Sequence, residues 1–375
     1  MSRAVLMLSA VLLACASRPA VVQSGGPAPV VAPAPAPAAA KPRAVWADTA
    51  RRLDALSRGW NRIPGREGTG CAEDSTFVFK VRPGLPDKVL VYLNGGGLCW
   101  RGGECDAKSR PTYTTNADSA NDVSVRSGIL DVNNEANPFR EYTMIFVSYC
   151  TGDAHLGART TEYQSANGKR TFSIRHEGAE NVESVLEWLY SNVRAPRTVF
   201  VAGTDAGAIA SPVVAAKVAR HYPRARVVQL GDGAGALRGK SAATPMAVWG
   251  VPEYLRRDNG FRAIPDDELT FERLYIAAGR AASRVHYAQV NSADDATQLA
   301  QLAQLGVKGQ ATSKLLAANM EQIRSSVPWF RSYTLPGRAH SILRSPAMYT
   351  AKVRGMAFSE WLASLAEGES VTDVK

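Results

Sequence analysis

The segment TVFVAGTDAGAIAS, residues 198–211, reads as a buried strand, a turn of small residues and a helix, with Asp205 at the turn. Small residues on both sides of position 205 permit the sharp strand-to-helix turn that raises one side chain above a sheet; the pattern is G-x-S-x-G with Asp in the place of Ser. A helix N-cap role for Thr204 or Asp205 is the plainer use of the same residues. NGGGLCW, residues 94–100, supplies three glycines whose N–H groups can turn into a cavity, the requirement of an oxyanion hole, although an ordinary glycine turn looks alike. Downstream, NSADDATQ (291–298) carries Asp294 and Asp295, and PGRAHSIL (336–343) carries His340. Nucleophile position, acid and histidine therefore follow one another in the chain order of a triad.

Such residues need a scaffold that brings them together. Residues 88–94, 143–150, 198–203, 225–232, 284–290 and 329–335 are β-rich, and several are continuous apolar runs of the kind buried on both faces of a parallel sheet. Helical patterns at 178–193, 206–222, 296–305, 312–327 and 347–365 alternate with them. The alternation predicts an α/β class, a doubly wound, mostly parallel sheet flanked by helices, in a single domain over 44–367. Residues 101–142 and 238–272 read as insertions, and 368–375 as a flexible tail. In open sheets of this kind ligands collect beyond the carboxyl ends of the strands, which is where the three stretches above fall.

The chain resembles the pectin acetylesterase and Notum family of α/β-hydrolases. The resemblance rests on NGGGLCW, SYCTGDAHLG (148–157), ENVESVLEWL (180–189), AGTDAGAIASP (202–212), LGDGAG (230–235), DATQ (295–298) and GRAHSIL (337–343), in the family's order. It implies an α/β-hydrolase-like fold and carboxylic ester hydrolysis. It also implies His340 as base, Asp295 as the acid that orients it with Asp294 as competitor, and Gly96, Gly97 and Ala206 as oxyanion donors. Asp153 and His155 match a family motif too; they are expected either to line the cleft or to hold the loop by local hydrogen bonds. His176, His221 and His286 have no motif context. Nothing points to a cofactor or a metal.

Asp205 changes the chemistry that the resemblance implies. A serine loses its proton to the histidine as it attacks, whereas a carboxylate has none to give and places negative charge where the oxyanion must develop. Ser-type ester hydrolysis is therefore disfavoured. Three readings follow: a degenerate site that binds a carbohydrate, lipid or protein ligand; a slow esterase in which Asp205 and His340 activate water on a small acyl ester; and an Asp-nucleophile hydrolase acting on alkyl halides or epoxides. Thr204 and Ser211 are not replacement nucleophiles, because the turn exposes its apex alone.

With 375 residues, 45% of them hydrophobic, the chain can bury a large core, and its net charge of +10 is scattered rather than run together. That distribution speaks against nucleic-acid binding and suits a solvated basic surface or an anionic substrate. At the start, Arg3 precedes an apolar run too short to span a bilayer, ending in LLAC at 12–15. This resembles a lipoprotein signal with Cys15 as lipidation site, an ordinary secretory peptide being the alternative. Export follows either way, with membrane attachment through the lipid anchor only and a periplasmic or cell-surface location. Residues 16–43, rich in Ala and Pro, read as a disordered tether. The remaining Cys71, Cys99, Cys105 and Cys150 favour two disulfides in an exported chain. Closeness in sequence suggests Cys99 with Cys105, leaving Cys71 with Cys150, and the family's pairing fits; a structural zinc site lacks a CxxC pair.

Overall fold

The apolar runs become the inner strands of an eight-stranded sheet in the computed structural model, which describes residues 52–117, 121–123 and 127–375. The expected leader with Cys15 and the Ala/Pro-rich segment lie outside those residues. In chain order the strands are β1 (Asn61–Pro64), β2 (Val78–Arg82), β3 (Leu85–Leu93) and β4 (Tyr142–Val147). After a separate hairpin, β5 (Arg159–Gln164) and β6 (Thr171–His176), come β7 (Thr198–Thr204), β8 (Arg226–Asp232), β9 (His286–Ser292) and β10 (Arg331–Leu335). Across the sheet the order is β1-β2-β4-β3-β7-β8-β9-β10. The two pairings at the β1 end are antiparallel, and every pairing from β4 to β10 is parallel.

The helices are α1 (Gly102–Cys105), α2 (Gly178–Asn192), α3 (Ala206–His221), α4 (Ala243–Val248), α5 (Val251–Arg256), α6 (Phe271–Ala281), α7 (Ala296–Gln304), α8 (Thr312–Ser326), α9 (Ala347–Thr350) and α10 (Phe358–Glu367). Alternate side chains of the strands serve two cores, as the period of two demands. Val89, Val91, Leu93, Val199 and Val201 pack with α2, α3, α6 and α8. Leu90, Tyr92, Phe200 and Ala202 pack on the other face with α10 and with Ile129, Leu130 and Phe139 of the irregular stretch after β3. Burial on both faces explains why these strands carry continuous apolar runs.

Three expectations need correction. The helix expected over 347–365 is broken into α9, a short hairpin of β11 (Lys352–Val353) and β12 (Met356–Ala357), and α10. Arg354 and Gly355 both have positive φ, +48° and +88°, and reverse the chain there, while apolar positions on either side keep the helical period. The expected flexible tail is docked: Val374 bridges to Tyr333, Asp373 accepts hydrogen bonds from Ser332, and Thr372 O accepts from the Trp361 indole. Finally, α6 begins at the last two residues of a presumed insertion and was not among the expected helices, yet it packs Leu274 and Tyr275 into the core.

The cysteines pair as Cys71–Cys150 and Cys99–Cys105. The second pair braces the glycine loop, Cys99 lying two residues after Gly97 and donating its N–H to Gly152 O at 3.0 Å.

Candidate active site

β7 runs straight into α3, and Asp205 occupies the junction with φ +49° and ψ −117°. This backbone conformation is sparsely populated for a residue with a Cβ and costs on the order of 1–3 kcal/mol. Glycine at the flanking positions is required by close approach: a Cβ on Gly203 would meet the Gly207 carbonyl, and one on Gly207 the Leu93 carbonyl. The strained turn is thus held between β3 and α3, with Asp205 N–H donating to Asp232 O at 2.9 Å. A side chain at such an apex stands above the carboxyl ends of the strands.

The glycine loop after β3 meets that side chain. Gly96 and Gly97 N–H donate to Asp205 Oδ2 at 3.1 and 2.7 Å. Gly97, at φ +79°, has no room for a Cβ against the Thr112 carbonyl, so the loop needs glycine there. The carboxylate therefore occupies the N–H pair expected to serve an oxyanion. Its other oxygen, Oδ1, accepts from Gln301 Nε2 at 3.0 Å and lies 3.6 Å from His340 Nε2. Ala206, the third expected donor, is the buried first residue of α3.

His340 Nδ1 and Asp295 Oδ2 are 2.8 Å apart. Asp295 is fully buried, whereas its neighbour Asp294 is exposed. The Asp295 carboxylate is fixed as the N-cap of α7, with Oδ1 accepting from Thr297 and Gln298 N–H and Oδ2 from Gln298 Nε2. The imidazole thus sits between two carboxylates. Burial would lower its pKa, but the charge of Asp205 at 3.6 Å and the hydrogen bond and charge of Asp295 push it up to about 10. Burial would likewise raise the Asp205 carboxyl, yet His340, Gly97 and Gln301 hold it down at about 2. These shifts favour an imidazolium at His340 facing an ionised Asp205.

Two residues of this arrangement were not singled out from the sequence. Gln301 projects from α7 three positions after Gln298, so both amides point inward from one helix face. Asp232, at the end of β8, accepts the N–H groups of Ile342 and Leu343 on Oδ2 at 2.7 and 2.8 Å and so fixes the loop that carries His340. Burial pushes its carboxyl up to about 7 against the pull of those N–H groups.

Asp153 and His155 do not line an open cleft: both side chains are buried. Asp153 accepts from Thr151 Oγ1, His155 N–H and Gly178 N–H, tying the loop to α2. His155 Nε2 reaches Asn94 O at 2.8 Å, directly before the glycine loop, so the pair positions that loop from behind. Thr204 faces Tyr92 OH, and Ser211 Oγ donates to Ala208 O, away from the apex. His221 stacks on Tyr190. Cys99, Cys105 and His176 converge within 4.8 Å. The two sulfurs are bonded to each other, and the His176 nitrogens meet Thr151 O and Tyr163 OH, so this cluster offers no metal ligands.

A mostly parallel eight-stranded sheet with flanking helices, a strained strand-to-helix apex and an acid–histidine pair beyond later strands define an α/β-hydrolase-like protein. Residues 64–242 match the pectinacetylesterase family. Palmitoleoyl-protein carboxylesterase NOTUM of Schmidtea mediterranea is 24% identical over 155 residues, 40% of this chain and 28% of that protein, so the chain spans little more than a quarter of that relative's length. The chain is thus similar to the pectin acetylesterase and Notum family of esterase-like hydrolases, the family match covering just under half of its length.

Proposed function

We propose that this protein is an exported member of the family in which Ser-type ester hydrolysis is lost or greatly slowed, and whose site binds a small acyl ester, carbohydrate or lipid ligand. One observation carries the reading: Asp205 Oδ2 accepts from both Gly96 and Gly97 N–H, filling with a permanent negative charge the place where an ester's oxyanion would develop. The raised pKa of His340 acts in the same direction, because an imidazolium cannot take a proton from an attacking water. Two disulfides suit an oxidising, exported setting.

The test compares the native chain with Asp205→Ser on short-chain aryl esters. Serine empties the N–H pair and takes away one of the two carboxylates that hold the His340 proton. The native protein is expected to be at least about a hundredfold slower, or about 2.7 kcal/mol of transition-state stabilisation. Equal, His340-dependent rates in both proteins would contradict the proposal.

A second reading is favoured by the other oxygen. With Oδ2 held in the N–H pair, Oδ1, which accepts from Gln301 and lies 3.6 Å from His340 Nε2, is the oxygen that would attack a saturated carbon. The N–H pair would then serve hydrolysis of the resulting alkyl ester, once loss of the Asp205 charge lets His340 release its proton. Single turnover of a haloalkane or epoxide in heavy-oxygen water must then label the peptide containing Asp205; turnover without label rejects it.

A further inference from the structure

We propose that the cavity between α3, α6 and α8, beside β8 and β9, binds a small monovalent cation, held by the Glu272 carboxylate and the Asn319 amide oxygen. The proposal does not depend on what reaction, if any, Asp205 supports.

The cavity is walled by Ala208 of α3, Gly231 of β8, Glu272 and Tyr275 of α6, Gln289 of β9 and Asn319 of α8, among others. The space open to the centre of a water-sized sphere is about 10 Å3, room for one guest of that size. A Cβ on Gly231 would meet Tyr275 OH, and one on Gly235 would meet Gln289 Oε1 and Asn291 Nδ2, so glycine at both positions lets these polar groups close on the strand ends.

Glu272 is 6% exposed, and its Oε2 is buried with no hydrogen-bond partner. Among the described residues it forms no ion pair; the arginine next to it, Arg273, is turned to Glu268. Asn319 is 2% exposed. Its Nδ2 donates to Gly235 O at 2.7 Å and Leu237 O at 3.3 Å, which fixes the way the amide faces and leaves Oδ1 buried with no donor. The polar groups deeper in the wall are satisfied among themselves. Gln229 Nε2 donates to Ser211 Oγ at 2.7 Å and to Tyr275 OH at 2.9 Å, and Ser211 Oγ donates to Ala208 O.

Both free atoms are acceptors, so the guest must be a donor or a cation. A water molecule can donate to both, yet it leaves the carboxylate uncompensated, and an unpaired buried charge is among the costliest arrangements in a fold. Among the described residues Glu272 is the one charged group in the wall, so an ion of single positive charge cancels it and a divalent ion does not. Ligands that are all oxygen suit a hard cation, and calcium would need about six to eight of them, more than this wall offers. Potassium and ammonium ions match the space and the charge. Such an ion would join α6 to α8 and to the turn after β8, where Asp232 anchors the segment carrying His340.

The experiment is thermal unfolding of the full chain in choline, potassium and ammonium chlorides at constant total salt. The native midpoint is expected to rise, saturably, by at least about 2 °C when potassium or ammonium replaces choline, because the ion binds the folded chain alone. Glu272→Gln removes the charge and supplies an N–H donor for the Asn319 oxygen. Its midpoint should be the same in all three salts and should exceed that of the native chain in choline. A glutamate needed only for packing would instead give a lower midpoint in every salt. Thallium-205 NMR with thallium(I) in place of potassium should show a bound signal in the native chain that potassium displaces, and this measurement carries the test if Glu272→Gln does not fold. The proposal is overturned by equal native midpoints in the three salts, by a salt response that Glu272→Gln shares, by a response to calcium chloride alone, or by absence of a displaceable thallium signal.

Discussion

Replacing Asp205 by Asn keeps the side chain's shape and removes its charge, and so isolates what that charge contributes to the site. In the native protein three N–H donors reach the carboxylate, from Gly96 at 3.1 Å, Gly97 at 2.7 Å and Gln301 at 3.0 Å, with the His340 ring 3.6 Å away. A hydrogen bond to a charged group contributes about 1.5–3 kcal/mol against about 0.5–1.5 for a neutral one, so demoting the two backbone bonds costs about 2 kcal/mol. His340 keeps Asp295 as partner, so no unpaired buried charge is left and the larger penalty for a broken pair does not apply in full. With the lost ion pair included, the variant should be about 2–3 kcal/mol less stable in the pH range where both charges exist. That range follows from the two shifts. His340 is pushed up to about 10, so its contribution is complete below its ordinary pKa of about 6.5 and is lost as the pH rises through about 10. Asp205 is held at about 2, so its contribution is complete above about 4 and is lost as the pH falls through about 2. Urea unfolding of both proteins at about pH 5.5 and about pH 10.5 should show the full gap at the first and, at the second, a gap smaller by the ion-pair share alone, because the N–H bonds to the Asp205 carboxylate persist there. A gap of the same size at both, or none at the lower pH, would refute the reasoning.

Other residues give separate checks. Asp232 is pushed up to about 7, so its contribution is complete below about 4 and lost as the pH rises through about 7; Asp232→Asn should remove that decline, read from urea midpoints at about pH 4 and about pH 8, and parallel profiles would contradict it. The Cys71–Cys150 bridge closes a loop with sequence separation 79, worth about 4.5 kcal/mol of unfolded-chain entropy, against about 2 for the Cys99–Cys105 loop with separation 6. Replacing the first pair by Ala should therefore lower the thermal midpoint clearly more than replacing the second, and the reverse order would count against that account.

Much of this site is legible in the sequence because each reactive residue follows a strand, and strands buried on both faces announce themselves as continuous apolar runs. The glycine loop, Asp205, Asp295 and His340 were placed by that logic, and the structure brings them into contact. Local pattern is blind to burial, which is what separates Asp295 from the adjacent Asp294 and puts Asp153 and His155 beneath the loop instead of in a cleft. Gln301 was passed over because glutamines in an Ala/Leu helix look like its solvent face. The spacing of Gln298 and Gln301 held the signal, since residues three apart share a face and Asp295 caps the same helix. β2 was missed because Lys80 interrupts its apolar run; the ammonium is buried, donating to Asn121 O over the Phe146 ring. The break at Arg354 and Gly355 depends on positive φ at two consecutive residues, and periodicity on both sides conceals it.

The central claim is that Asp205 fills the N–H pair as an anion and keeps His340 charged. Nitrogen-15 NMR of the His340 ring in the native protein measures this directly. Both ring nitrogens should carry protons at neutral pH and keep them until the pH approaches about 10, with release at clearly lower pH in Asp205→Asn. A neutral ring at neutral pH in the native protein, or a titration unmoved by Asp205→Asn, would contradict the account.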